Sequence, residues 1–145
     1  MTELTDPIYS DEEKAREYLE KLRWPEGISC PHCGAIGERV RAVNGASMGA
    51  GWFYCEECQD KFTVRVGSIF ERSHIPLRKW LLAFRLMAGS KKGVSAHQLH
   101  RSLAITYKSA WFMAHRIREA MRDGPFAAPM GGSGKVVEAD ETYIG

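Results

Sequence analysis

Two matched cysteine pairs constrain the fold of this chain more than any other feature. All four cysteines of the 145-residue sequence lie in them, Cys30 with Cys33 and Cys55 with Cys58. Two C-x-x-C pairs separated by a loop of this length have the spacing of a tetrahedral zinc site, in which each pair supplies two thiolates from one tight turn. Four thiolates leave no position open for water or substrate, so we predict a structural zinc ion.

Two other uses of paired cysteines fit this sequence less well. Disulfides form in oxidising compartments, and nothing at the N-terminus resembles a secretory signal. A thioredoxin-like redox pair requires a βαβ context, which surrounds neither pair. His32 lies inside the first pair and could replace a cysteine as ligand, but four thiolates already complete the site.

The residues around the cysteine pairs predict a helix followed by a zinc ribbon. Ser10 and Glu13 have the spacing of a capping box at the start of a first helix. The core of a ribbon this small does not fold without help, so the metal supplies much of its stability. Short strand patterns occur at residues 39–43, 52–54 and 61–66.

The second half of the chain reads as helical. We predict helices over residues 74–87, 95–103 and 107–121, the last two joined by only three residues. A short helix, a tight turn and a longer basic helix are typical of a helix-turn-helix. Ala104 stands where glycine usually relieves a left-handed backbone, at a cost of about 1 kcal/mol. We place Trp111 in the core of this region.

The net charge of +2 conceals a strong asymmetry along the chain. Residues 1–29 carry eight acids and four bases, whereas residues 61–122 carry thirteen Lys or Arg and two acids. The basic block indicates a polyanionic partner, most simply nucleic acid, with a solvated charged face as the alternative. No apolar run approaches the roughly 20 residues that span a bilayer, so we expect a soluble, cytoplasmic protein without a membrane partner.

The start of the last predicted helix carries the candidate DNA contacts. In a helix-turn-helix the N-terminal half of the second helix reaches base edges in the major groove. A helical hairpin with a charged outer face is the alternative interpretation. The candidates are Thr106, Tyr107, Lys108, Ser109, Phe112 and Arg116.

The chain closes with a strand-like run that contains three acids, Glu138, Asp140 and Glu141. Acids in a valine-rich strand are costly to bury unless they hold a cation. Two-metal phosphoryl transfer uses such carboxylates to bind Mg²⁺. A solvated strand end is the alternative.

Taken together, these segments resemble bacterial insertion-sequence transposases that carry an N-terminal zinc ribbon, a helix-turn-helix and a DDE-type, RNase H-like catalytic domain. The resemblance covers nearly the whole chain, with its segments in the family's order. They are LRWPEG at residues 22–27, CPHCG at 30–34, HIPLRKW at 74–80, SKKGVSA at 90–96, YKSAWFM at 107–113, HRIREAM at 115–121 and VEADETYIG at 137–145.

The resemblance implies a reaction and a partner. Its members act on the double-stranded DNA of transposon terminal inverted repeats, with two Mg²⁺ ions held by three carboxylates. Asp140 matches the first carboxylate, and Glu138 and Glu141 flank it without a metal role. The other two carboxylates are absent from this sequence, so we expect this chain to bind DNA without cleaving it, and Mg²⁺ to matter only in a full-length enzyme.

The resemblance also implies a bacterial, nucleoid-associated protein, and a homodimer or higher oligomer on DNA is compatible with it. A stand-alone zinc-ribbon and helix-turn-helix transcriptional regulator is the alternative function. In a third interpretation the ribbon docks a protein and only the helices contact DNA.

The predicted fold class is α+β, with a small β zinc ribbon between helical parts and one orphan strand of an RNase H-like domain. The predicted divisions are an N-terminal helix at residues 1–27, the zinc ribbon at 28–70, the helix-turn-helix domain at 71–123, a linker at 124–134 and the truncated start of the catalytic domain at 135–145.

Overall fold

A computed structural model of the chain describes residues 4–43 and 49–122. The predicted α+β class is confirmed there, since helices accompany one small antiparallel sheet. Asp140, the linker and the terminal strand lie outside the described residues. The elements are α1 (Glu12–Arg23), β1 (Val40–Val43), β2 (Trp52–Cys55), β3 (Lys61–Phe62), α2 (Leu77–Gly89), α3 (Ala96–Leu103) and α4 (Tyr107–Ala120).

Helix α1 begins one residue later than a Ser10 cap would place it. The carboxylate of Asp11 accepts the N–H groups of Glu13 and Lys14, at 2.8 and 3.3 Å. Ser10 instead closes a short 3₁₀ turn, Pro7–Tyr9. The predicted capping box is therefore wrong, because an aspartate caps a helix as well as a serine and the preceding turn already uses Ser10.

The sheet has the strand order β1–β2–β3, with both pairs antiparallel. Strand β3 is two residues long, so the strand predicted over residues 61–66 is too long. Beyond it the chain turns, and the N–H of Val66 donates to the carbonyl of Thr63 at 3.1 Å. Phe62 and Val64 are both buried, and this burial explains the alternating pattern without a longer strand.

One continuous hydrophobic cluster runs through the ribbon and the helices. Under the sheet, the ring of Trp24 meets Phe53 and Phe62 edge-on, with centroids 5.6 and 5.9 Å apart. Under the helices, Phe70 meets Trp80 edge-on at 5.5 Å. The ribbon and the helical part thus share a core, and the domain boundaries stay predictions.

The segment between the sheet and α2, residues 63–76, is called the connector below. Three guanidinium groups, from α1, α4 and the connector itself, donate to its backbone carbonyls and hold it in place. Two of them belong to the basic block, so part of that block stabilises the fold. The bonds are Arg23 to Val64 and Val66 at 2.7 and 2.6 Å, Arg65 to Ser73 and Ile75 at 2.7 and 3.1 Å, and Arg116 to Ile69 and Glu71 at 2.9 and 2.8 Å.

Helix α2 begins at Leu77, later than predicted, and its cap comes from another helix. Pro76 precedes it and offers no side-chain cap. The carboxylate of Glu12, on α1, accepts the N–H groups of Leu77 and Arg78 at 2.7 and 3.1 Å. It also accepts from the guanidinium of Arg65 at 3.2 Å. One carboxylate therefore ties the first helix to the start of the second.

Replacing Glu12 by alanine is expected to lower the free energy of unfolding by about 1–2 kcal/mol, because the first N–H groups of α2 lose their acceptor. Urea unfolding followed by circular dichroism measures the change. Glu13→Ala is the matched control, since the Glu13 side chain is the exposed neighbour on the same helix turn. Equal destabilisation by the two variants would contradict the capping role.

The turn between α3 and α4 follows the predicted pattern. Ala104 adopts a left-handed backbone, with φ 47° and ψ 54°. The hydroxyl of Thr106 accepts the N–H of Ser109 at 3.2 Å and so caps α4, as predicted. The two helices pack through buried side chains, namely Leu99, Leu103, Ala110, Met113, Ala114 and Ile117.

Trp111 does not lie in the core, and its predicted burial is wrong. The buried side of α4 is occupied by Ala110, Met113 and Ala114, of which the two alanines are small enough to allow close approach of a neighbouring helix. Trp111 falls on the other side of α4, where it is 49% exposed.

Within the described residues, no helix is long and apolar enough to cross a bilayer.

Candidate metal centre and nucleic-acid interface

The first cysteine pair lies in a tight turn just before the sheet. The N–H of Cys30 donates to the carbonyl of Ala35 at 2.8 Å, and the N–H of Gly34 donates back to the carbonyl of Cys30 at 2.9 Å. Gly34 has φ +79°, a left-handed conformation that glycine adopts without strain. The turn brings Cys33 back over Cys30, so both thiols point to one side.

The second pair repeats this arrangement at the end of β2. The N–H of Cys55 donates to the carbonyl of Asp60 at 3.0 Å. Gln59, directly after Cys58, has φ +57° and occupies the position that Gly34 has in the first turn. The two turns are therefore equivalent in backbone shape, although only one of them contains glycine.

The two turns bring the four thiols into a single cluster. All four sulfur atoms lie within 4.8 Å of one another. Across the two turns, Sγ of Cys30 lies 3.6 Å from Cys58, and Sγ of Cys33 lies 3.5 Å from Cys55. Four sulfurs at about 2.3 Å from one zinc ion would stand about 3.8 Å apart, so the observed spacing suits a tetrahedral site. The cysteines are free thiols, not disulfides.

The pKa values of two of these thiols are shifted in opposite directions. Burial, reinforced by the neighbouring thiols, raises the pKa of Cys58 to about 12. Burial also opposes ionisation of Cys30, but the N–H groups of Cys33 and His32 outweigh it and lower the pKa of Cys30 to about 7. A divalent cation at the centre would stabilise all four thiolates. The chemistry of the donor set therefore fits a structural zinc ion.

The charges around the cluster largely pair off with one another. Arg41 approaches Glu56 at 3.6 Å, and Arg39 forms an ion pair with Glu57. Nε2 of His32 lies 3.6 Å from a carboxylate oxygen of Asp60, which places the ring on the outside of the turn. The ribbon surface thus offers paired charges and no strong excess of either sign.

The helical part has a very different charge distribution. Residues 72–118 contain ten Lys or Arg and no Asp or Glu. The run covers α2, α3 and nearly all of α4, up to Glu119. A stretch of this length with many bases and no acids attracts polyanions.

The structure brings the predicted DNA residues to the start of α4 but gives them different roles. Tyr107, Lys108 and Phe112 are exposed on its outer side. Thr106 is exposed, but its hydroxyl caps the helix and donates to Oγ of Ser109 at 2.9 Å. Three of the six predicted side chains are therefore free to face a partner.

Arg116 is a predicted DNA contact, but its side chain already forms bonds within the protein. It is half-buried, and its Nη1 donates to two carbonyls of the connector. Its guanidinium also lies 4.8 Å from the centroid of the Phe112 ring. A base contact by Arg116 would require these bonds to break, so its geometry favours a role in anchoring α4. The prediction that it contacts DNA remains a prediction.

Several exposed side chains of this surface lie outside the predicted set of six DNA contacts. The ring of His97 stacks on Tyr107 at 4.3 Å, and that of His115 lies 4.1 Å from Trp111. Gln98 and Arg101 are exposed on α3. The spacing of four residues between Tyr107, Trp111 and His115 was the available signal, since such residues share one side of a helix.

Comparison with known proteins agrees with the ribbon. Residues 10–61 match the model of the transposase zinc-ribbon domain, IS1595 type. The chain is 30% identical over 136 residues to an uncharacterized protein in transposable element ISH50 of Halobacterium salinarum. That alignment covers 94% of this chain and 43% of the relative, so the chain spans less than half the relative's length. No solved structure matches the chain. The resemblance to insertion-sequence transposases and the zinc ribbon are confirmed.

Proposed function

We propose that this chain, which carries the transposase zinc-ribbon domain, is the DNA-binding N-terminal part of a DDE transposase and recognises transposon-end DNA. The observation that carries the proposal is the acid-free stretch at residues 72–118, which includes a tight α3–α4 pair. A longer helix presented after a short one across such a turn is the arrangement with which helix-turn-helix proteins enter the major groove.

In this proposal the zinc ion is structural. Cys30, Cys33, Cys55 and Cys58 hold it and leave no open position, so the metal stabilises the ribbon and takes no part in chemistry. The shared core and the arginine bonds to the connector join the ribbon to the helices and fix their relative position. The ribbon thereby holds α4 in position to contact DNA.

Exposed cations around the helix pair supply the phosphate contacts. Lys91 and Lys92 lie in the loop before α3, Arg101 lies on α3, and Lys108 lies in the first turn of α4. The N-terminus of α4 also points backbone N–H groups outward, where they favour a phosphate. In the full-length enzyme, Asp140 supplies the first of the three catalytic carboxylates.

Equilibrium binding to duplexes from the ends of the host element tests the proposal. Four phosphate contacts predict a slope of log K against log salt of about −3.6. Lys108→Gln is expected to reduce the slope by about 1. Lys14→Gln, which changes an exposed lysine on α1, is the matched control and is expected to leave the slope unchanged.

A composition-matched scrambled duplex completes the design. Tighter binding to the end duplex supports transposon-end recognition, because the phosphate term is the same for both duplexes. A flat salt dependence would contradict the assignment of a DNA surface. Binding that is specific only for a promoter near the gene would favour the transcriptional regulator.

A further inference from the structure

The outer side of α4 carries three large exposed rings. Tyr107, Trp111 and Phe112 are 43%, 49% and 53% exposed. Lys108 and His115 lie on the same side of the helix, whereas the opposite side is buried. An exposed helical face usually carries charged and polar groups, so this one has an unusual amount of apolar surface.

Each ring is supported by a neighbouring side chain. His97 stacks on Tyr107, and His115 packs against Trp111. The guanidinium of Arg116 lies over Phe112. Because these contacts restrict the rings before any partner arrives, ordering them on binding costs less conformational entropy.

Most of the side chains that normally read purines are missing from this face. Helix α4 contains no Asn or Gln, the residues that pair with adenine. Its two arginines, the residue type that pairs with guanine, are bonded to backbone carbonyls: Arg116 to the connector, and Arg118 to Val94 at 3.2 Å. Lys108 is the one exposed cation in the first two turns of the helix. Helix α4 therefore has few side chains that could recognise bases through hydrogen bonds.

The major groove has one apolar group that can be recognised, the C5-methyl of thymine. Resting on the proposed function, we propose that Tyr107, Trp111 and Phe112 contact thymine methyl groups and make α4 specific for thymine-containing sites. The charge of the surrounding surface identifies DNA as the occupant, because residues 72–118 carry no acid that would repel phosphate.

Replacement of thymine by uracil isolates this contact, because uracil pairs with adenine in the same way and lacks only the methyl group. The zinc-loaded full chain is titrated against two duplexes of the DNA flanking its gene, one with thymine and one with uracil throughout. Loss of each contacted methyl is expected to weaken binding about fourfold, the equivalent of about 0.8 kcal/mol.

Ring variants locate the effect on the protein. In Trp111→Ala and Phe112→Ala the ratio of uracil to thymine dissociation constants is expected to fall towards one. Leu22→Ala removes an exposed apolar side chain from α1 and is expected to leave the ratio unchanged. All three side chains are exposed, so the variants are expected to fold, and their unfolding midpoints verify it.

Each outcome decides between the proposals. Equal affinity for the thymine and uracil duplexes would overturn methyl recognition while leaving DNA binding intact. A uracil penalty that persists in both ring variants would also overturn it, since other residues would then read the methyl. Binding to neither duplex would overturn the proposed function itself. Self-association that Trp111→Ala abolishes, with no uracil penalty, would make a second copy of the chain the occupant.

Discussion

Cys55→Ser is expected to abolish zinc binding and to unfold the ribbon. Cys55 is fully buried at the end of β2, where it joins the sheet to the second cysteine turn. Structural zinc contributes about 10–16 kcal/mol of apparent binding free energy in small zinc domains, more than such a ribbon's core provides. A buried serine neither ligates zinc strongly nor fills the site, so three thiols would remain without their metal.

The effect is expected to reach the connector but to spare the α3–α4 pair. Arg23 holds the connector through Val64 and Val66, and both carbonyls lie just beyond β3. Loss of the sheet would free this segment. Helices α3 and α4 keep their mutual buried contacts, so their helical signal is expected to persist.

Metal content by mass spectrometry and hydrogen exchange along the chain measure both parts of this result. We expect zinc to fall from one ion per chain to none, and amide protection in β2 to be lost. His32→Ala is the matched control within the first turn and is expected to retain zinc. Zinc retained in Cys55→Ser, or lost in His32→Ala, would contradict the four-cysteine site.

Trp80→Ala is expected to destabilise the protein by about 3–5 kcal/mol, whereas Trp111→Ala is expected to change stability by less than about 0.5 kcal/mol. Trp80 is 1% exposed, packs on Phe70, and donates its indole N–H to Oγ of Ser73 at 3.1 Å. Its removal leaves a cavity and takes away one of the two N–H groups that donate to Oγ of Ser73.

The comparison of two tryptophans separates stability from binding. Urea unfolding is expected to show a large fall in midpoint for the Trp80 variant and none for the Trp111 variant, with similar slopes. DNA affinity, in contrast, is expected to fall in the Trp111 variant, because the ring of Trp111 faces outward. Equal destabilisation by both substitutions would contradict the exposed position of Trp111 and indicate that it lies in the core.

Trp111 also shows where sequence reasoning failed. An aromatic residue between alanines on an amphipathic helix usually packs inward, and hydrophobicity alone predicts its burial. Its position relative to the buried side was decisive, because Ala110 and Ala114 occupy that side and leave no room for a large ring. The residue type alone indicated a buried environment for Trp111, whereas its position around the helix axis leaves it exposed.

For Arg116, the structure shows bonds within the protein that the sequence could not reveal. Its place two turns into a basic helix favoured a DNA contact, since charge and position are all that the sequence displays. The carbonyls of Ile69 and Glu71 that it binds are more than forty residues away in the chain. Such an acceptor exists only once the connector has folded against α4, so no local pattern could reveal it.

The sequence by itself determined the features that depend on neighbouring residues: the two cysteine turns, the small ribbon, the Thr106 cap and the left-handed Ala104. These follow from backbone geometry and hydrogen bonds within a few residues. Only the tertiary structure decided that Glu12 caps a helix 65 residues further on and that three exposed rings remain free on α4. Those outcomes depend on which surfaces pack together, because a side chain's partner across the core is set by the whole fold.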